Sequence, residues 1–323
     1  MSDLMSKTIK EQTHTEMQFV SAVIYLRNNA STLKTFLTFI DQTMCRFFSK
    51  YEIICVNDAS VDETLEIIKN FKCQSDETTL TVLNMSYFQG LELSMTAGVD
   101  LAIGDFVYEF DTVSLDYDEC VIQEIYQHAL TGFDIVNAAA DSKPKLTSYL
   151  FYSVFNKFAN LQYTLGSESF RILSRRAINR IRGLSESSPY RKALYANCGL
   201  KMDTHKYQPT TPNSAPASTG TVKARTQLAT DALILFTDIG YKFASTMTVI
   251  MMLITVLVAL YAVVVYIFQN PVEGWTPTIL FLSFAFFGLF AILAVVIKYL
   301  SIIVNLLYKK QKYVYESIQK YSR

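Results

Sequence analysis

The chain has 323 residues, of which 29 are Lys or Arg and 29 are Asp or Glu, so its formal charge is zero. That length accommodates one substantial α/β domain plus a second unit, and the neutral balance lacks the basic excess of a general nucleic-acid binder. Cys45, Cys55, Cys73, Cys120 and Cys198 are scattered without metal-ligand spacing, which reads as free thiols in a reducing compartment.

No apolar stretch precedes Phe19, so residues 1–18 read as a tail without a signal peptide, and the first domain is expected to stay cytosolic. Phe19 to Leu26 (FVSAVIYL) reads as a first strand, followed by a turn at Asn28 and a helix from about Thr32 to Phe47. Tyr51 to Val56 is a second strand, closed by Asn57, Asp58, Ala59 and Ser60. A helix over Val61–Phe71 follows, with Asp62 and Glu63 in its first turn, where the helix dipole favours acids. Leu80–Leu83 is a short strand, Gln89–Ala102 a helix, and Phe106–Phe110 a strand ending at Asp111. Asp116, Asp118 and Glu119 begin a helix to Leu130, and Phe133–Ala139 is a further strand.

This alternation predicts a mostly parallel sheet covered by helices. Ligands of such sheets bind beyond the carboxyl ends of the strands, where Asp58 and Asp111 fall. An acid there either meets a nucleobase, ribose or divalent cation, or caps a turn. There is no GxGxxG after the first strand and no Walker A sequence, so the usual phosphate grips of dinucleotide and P-loop proteins are missing.

Leu146–Tyr163 carries aromatics at helical spacing, and Arg175, Arg176, Arg180 and Arg182 follow Ser167–Ser174. The arginines suit phosphates of a substrate or lipid, or else form a solvated helix face. Gln208–Gly220 is rich in Pro, Ser and Thr and is either a flap or a linker. Residues 223–242 read as an amphipathic helix, resting on a membrane interface or packed under the domain. Two apolar runs close the pattern, Phe243–Phe268 and Pro277–Leu307. Each exceeds the roughly 20 residues that span a bilayer, which predicts a transmembrane hairpin over residues 243–308. The linking loop holds Glu273 and Trp275 but no Lys or Arg, whereas Lys309, Lys310, Lys312, Lys320 and Arg323 follow the second run. The positive-inside rule puts both chain ends, including a basic tail over 309–323, in the cytoplasm. Ala285, Gly288, Ala291 and Ala294 would let helices approach closely in a homo-oligomer.

These residues resemble family 2 of the glycosyltransferases, in the polyprenyl-phosphate group that includes dolichol-phosphate mannosyltransferase and bactoprenol glucosyltransferase. The resemblance runs from about Phe19 to Tyr308. It is carried by Tyr51-Glu52-Ile53-Ile54-Cys55-Val56-Asn57-Asp58-Ala59-Ser60-Val61-Asp62, by Gly104-Asp105-Phe106 through Asp111, and by Ser169-Phe170-Arg171-Ile172-Leu173-Ser174-Arg175, with Tyr190-Arg191 and Gly199 after it. Asn28 stands where the family has its Tyr-Asn-Glu segment, and Asn84 opens its next loop.

The resemblance implies a GT-A fold over residues 19–222. It implies transfer of a sugar from a nucleotide donor, UDP-linked, to undecaprenyl phosphate on the cytosolic leaflet of a bacterial inner membrane, for cell-surface glycan synthesis, and assembly like that of tetrameric relatives. Asn28, Asp58, Asn84 and Asp111 would hold the nucleotide. Mg²⁺ or Mn²⁺ would sit on Asp111 with help from Asp116. Glu168, Ser169, Arg171 and Arg175 would serve the acceptor. The chain departs from the family where Asp-x-Asp has become Asp111-Thr112-Val113, where Ser169 with adjacent Glu168 replaces an Asp, and where the late Arg-x-x-Gly-x-Ser-Lys signature gives way to the Pro/Ser/Thr loop. Transfer to another acceptor, or a non-catalytic accessory role on a degenerate site, are the alternatives these departures leave.

Overall fold

A computed structural model describes residues 16–141, 152–153, 155–157, 163–184, 190–210 and 313–321, with helical residues singly or in pairs between 246 and 303. The chain divides into two compact units, one of residues 1–153, 161–228 and 311–323, the other of residues 154–160 and 229–310.

In the first unit, eight strands form one mixed sheet in the order β7-β5-β6-β4-β1-β2-β3-β8. The central strands are apolar runs buried on both faces. These are β1 (Val20–Leu26) and β2 (Tyr51–Asn57), fully buried along their length, with β3 (Thr79–Met85) and β4 (Phe106–Phe110) beside them. β1, β2, β3 and β4 run parallel, so Asn28, Asp58, Asn84 and Asp111 all come to one edge.

The other strands mix directions. β5 (Ile135–Ala140) and β6 (Phe170–Ser174) pair antiparallel, β6 pairs antiparallel with β4, and β7 (Met202–Tyr207) runs parallel to β5. The expected mostly parallel sheet therefore holds at its centre and gives way on its flanks. The last strand, β8 (Tyr315–Tyr321), lies antiparallel on β3. The segment expected as a basic tail thus closes one edge of the sheet. Its pattern explains this: Ser317, Gln319 and Tyr321 alternate with exposed Glu316, Ile318 and Lys320 at the two-residue period of a strand.

Helix α1 (Ala30–Phe47) buries Leu33, Phe36, Leu37, Ile40 and Met44, one stripe at helical spacing. α2 (Thr64–Lys69) is shorter than expected because Asp62 is used in the preceding turn, accepting from Thr64 N at 3.1 Å and Ala30 N at 3.0 Å. α3 (Leu91–Leu101) sits close on the sheet: a Cβ at Gly98 would lie 2.5 Å from Val23 Cγ1 and 2.6 Å from Val56 Cγ2. α4 (Glu119–Leu130), α5 (Arg175–Leu184) and α6 (Arg191–Ala196) also belong to this unit. Phe110 and Phe170 stack at 5.2 Å between β4 and β6, and Tyr117 meets Phe170 at 4.5 Å. This aromatic layer lies directly below the functional edge. All five cysteines are free.

In the second unit, the described residues are helical. Leu282, Phe286, Leu289, Leu293, Val296, Leu300 and Ile303 recur at steps of four and three and are exposed. Gly288 lies against Met251, whose Cε would be 2.1 Å from an added Cβ. Among the described residues no helix is long and apolar enough to cross a membrane. Most of the expected hairpin, and all of the expected amphipathic helix over 223–242, lie outside the described residues.

Candidate active site

Asp58 ends β2 and is 0% exposed. Its carboxylate is filled by the protein: Tyr25 Oη donates to Oδ2 at 2.8 Å, Gly90 N to Oδ2 at 2.9 Å and Gln89 N to Oδ1 at 2.8 Å. Asp58 therefore sets the loop before α3. Asn28 has a φ of 53° and Ala59 one of 51°, both in the left-handed region that costs non-glycine residues strain. Asn28 joins the two turns, accepting from Val61 N at 2.9 Å and donating its own N–H to Ser60 Oγ at 3.1 Å. Asn84 accepts from Asn57 Nδ2 at 3.0 Å and donates to Ser317 Oγ of β8 at 3.1 Å.

Asp111 ends β4 in a dense cluster of charge. Arg171 Nη2 reaches its Oδ2 at 3.0 Å and Arg191 Nη2 its Oδ1 at 2.7 Å. The register explains Arg171, since β6 antiparallel to β4 sets Arg171 opposite Glu109. Arg171 also meets Glu109 Oε2 at 2.9 Å and Glu168 Oε2 at 3.0 Å. Arg191 meets Glu109 Oε1 at 2.9 Å and Glu92 Oε2 at 3.0 Å, and Lys192 meets Glu168 at 3.3 Å. Tyr195 Oη donates to Glu109 Oε1 at 2.6 Å.

Glu92, Glu109, Asp111 and Glu168 thus face Arg171, Arg191 and Lys192, four acids against three bases. Burial alone would raise the Asp111 carboxyl, but the Arg191 and Arg171 guanidiniums outweigh it and hold the group well below the usual carboxylate range. Burial would likewise lower the Arg171 and Lys192 pKa values, and the surrounding carboxylates raise both instead. The result is a fixed, ionised Asp111 whose side chain keeps 14% of its surface open, against 1% for Arg171 and 4% for Arg191.

A second polar chain stands beside it. Tyr207 Oη donates to Asp116 Oδ1 at 2.9 Å and is hydrogen-bonded to Ser169 Oγ at 2.5 Å. Burial raises the Asp116 carboxyl pKa against the lowering effect of the Tyr207 bond. The structure therefore ties Asp116 to β7 through Tyr207, while Asp111 is held by arginines.

Of the residues expected at the acceptor, Glu168, Ser169 and Arg171 are brought to this edge and Arg175 is not. Arg175 follows β6 at the opposite end, where Nε donates to Gly104 O at 2.9 Å and Nη2 to Ala102 O at 3.0 Å. Four residues of strand separate it from Arg171, about 13 Å of rise. Arg176 pairs instead with Asp134, and Arg182 with Asp100 at 2.6 Å. The sequence reading missed Glu92, Glu109, Lys192 and Tyr195 as site residues, and placed Arg191 only within a family segment. Glu109 alone carried a signal, as an acid inside the apolar strand FVYEF that must find a buried partner.

Among the described residues no group of three or more His, Cys, Asp or Glu could hold a metal ion. Among the described residues, Asp111 at the strand end, with Asp116 tied to Tyr207 nearby in sequence, is the carboxylate set left to a divalent cation. That fits the habit of Mg²⁺, which binds through one or two carboxylates and takes its other ligands from substrate phosphates and water.

Residues 21–181 match the family model described as Glycosyl transferase family 2, which makes this stretch a family 2 glycosyltransferase domain. An uncharacterized glycosyltransferase of Synechocystis is 29% identical over 188 residues, covering 56% of this chain and 58% of the relative. A prophage bactoprenol glucosyl transferase homolog of Escherichia coli is 29% identical over 162 residues, covering 48% of this chain and 52% of the relative. The chain thus spans little more than half the length of the curated relatives it matches. Among solved structures, a mannosyltransferase from Pyrobaculum calidifontis in complex with GDP-Man and Mn²⁺ is 14% identical with a TM-score of 0.47, over 71% of this chain and 67% of that one.

Proposed function

We propose that the chain transfers a sugar from a nucleotide-sugar donor, UDP-linked, to a polyprenyl phosphate such as undecaprenyl phosphate. The observation that carries this reading is Asp111, fixed and ionised at the carboxyl edge of a family 2 domain. The acceptor class is supported by the 29% identity to proteins named bactoprenol glucosyl transferases. It is also supported by the exposed apolar helix positions of the second unit, since surfaces of that kind mark lipid or protein contacts. On this reading residues 243–308 anchor the chain in a bacterial inner membrane, with both termini and the catalytic domain on the cytoplasmic side, and the hairpins assemble as a homo-oligomer.

In the reaction, the bond from the sugar C1 to the donor diphosphate breaks, and a bond from C1 to the acceptor phosphate oxygen forms. That oxygen is already anionic, so no strong base is required. Mg²⁺ or Mn²⁺, when bound, would neutralise charge on the departing diphosphate, with Asp111 as its protein ligand. Arg171 and Arg191 keep Asp111 ionised and aimed. Asn28, Asp58 and Asn84 shape the loops that receive the nucleotide.

A second reading, transfer to a hydroxyl acceptor, is favoured by the Ser169–Tyr207–Asp116 hydrogen-bond chain. That chain offers a route for the proton a hydroxyl must lose. Incubation of the purified chain with a panel of labelled UDP- and GDP-sugars, undecaprenyl phosphate and Mn²⁺ tests both. Label moving into an organic-extractable product supports the first reading. Transfer only to hydroxyl acceptors supports the second, and no transfer to either contradicts both.

A further inference from the structure

Asp58 and Asp111 end different strands, yet one short segment touches the partners of both. Gln89 N and Gly90 N donate to Asp58 at 2.8 and 2.9 Å. Gly90 supplies the turn with a φ of +87°, a conformation open to glycine. Two residues on, Glu92 Oε2 accepts from Arg191 N at 2.9 Å and from Arg191 Nε at 3.0 Å. Arg191 then donates from Nη2 to Asp111 Oδ1 at 2.7 Å. The path Asp58, Gln89–Glu92, Arg191, Asp111 is continuous: the segment's backbone joins hydrogen bonds to Asp58 that are partly buried, a buried pair between Glu92 and Arg191, and a partly buried bond from Arg191 to Asp111.

We propose that Glu92 and Arg191 are positioning residues, a strut that sets Asp111 in fixed relation to the Asp58 loop so that both ends of a nucleotide diphosphate are met at once. This rests on the donor reading given above. Arg191 is 4% exposed and Glu92 10%, so neither side chain is open enough to grip a donor itself. Both act through Asp111. A buried ion pair is weak evidence for stability, because apolar residues of similar volume often do as well. What a guanidinium fork adds is direction: with Nε and the backbone N on Glu92 and Nη2 on Asp111, the carboxylate has one aim. Sites tolerate little error in such aim, and a misplacement of about 1 Å costs on the order of 100-fold in rate.

Titration calorimetry of UDP and GDP binding to the full chain, with and without Mn²⁺, tests the strut, alongside donor KM and kcat. The variants are Glu92→Gln, Glu92→Ala and Arg191→Lys. Gln keeps an acceptor for both Arg191 donors, so Glu92→Gln is expected to bind within about threefold of wild type. Glu92→Ala and Arg191→Lys are expected to lose about tenfold or more in nucleotide affinity and to raise the donor KM. Arg191→Lys keeps the charge and loses only the fork, so it decides the matter if Glu92→Ala does not fold. Folded Arg191→Lys binding nucleotide as wild type does would overturn the strut. Wild type binding neither nucleotide would overturn the donor reading, and the strut with it.

Discussion

Arg171→Met removes the buried cation on which three acids converge. Arg171 is 1% exposed and lies 2.9 Å from Glu109, 3.0 Å from Asp111 and 3.0 Å from Glu168. Methionine fills most of the volume but leaves four acids to Arg191 and Lys192 alone. Breaking a buried ion pair in this one-sided way costs about 3–5 kcal/mol, a large part of a typical total of about 5–15 kcal/mol. Glu109→Gln made on top of Arg171→Met removes one of the stranded charges. The pair is therefore expected to couple, with the double variant recovering about 1–3 kcal/mol relative to additivity. Urea unfolding of the full chain, followed by tyrosine near-ultraviolet circular dichroism, gives both quantities from midpoint and slope. An Arg171→Met variant as stable as wild type, or strict additivity with Glu109→Gln, would refute the cluster as described.

Further expectations follow from the same geometry. The Asp111 carboxyl is held below its unfolded value of 3.8, so the unfolded chain binds more protons below that pH. This contribution to stability is present above pH 3.8 and lost as pH falls. Thermal unfolding across acid pH should show it, with a flatter profile in Asp111→Asn; parallel profiles would contradict the assignment. Arg175→Ala removes bonds to the Gly104 and Ala102 carbonyls at the far end of β6. It should cost about 1 kcal/mol of stability and leave any transfer rate within about twofold, given the separation of about 13 Å; a large loss of rate would bring Arg175 back to the site. Gln89 accepts from Val314 N at 2.9 Å, and its Nε2 donates to Val314 O. Gln89→Ala should therefore speed hydrogen exchange over Ser86–Gly90, and unchanged exchange would argue that the C-terminal strand does not brace this loop.

The centre of the fold was legible because β1, β2 and β4 are apolar runs separated by helices of clear period. The flanks were not. β7 reads MDTHKY, and its identity as a strand depends on pairing with β5, 67 residues earlier in the chain. β8 was hidden by Lys320 and by the lysines just before it, which the charge rule assigned to a tail although the alternation was present. In the site, Asp111 and Arg171 could be found because each sits in a local motif. Arg191 and Glu92 could not, because their roles exist only in partners 80 to 99 positions apart. The placement of Arg175 failed for a simpler reason: a motif read along the chain does not reveal that its two arginines fall at opposite ends of one strand.

The most direct test of the account compares wild type with Asp111→Asn in transfer of labelled sugar to undecaprenyl phosphate, with circular dichroism verifying the fold of each. The account expects an organic-extractable product from wild type and a loss of at least about 100-fold in the folded variant. Turnover by Asp111→Asn at the wild-type rate would contradict the central claim that this strand-end carboxylate carries the chemistry.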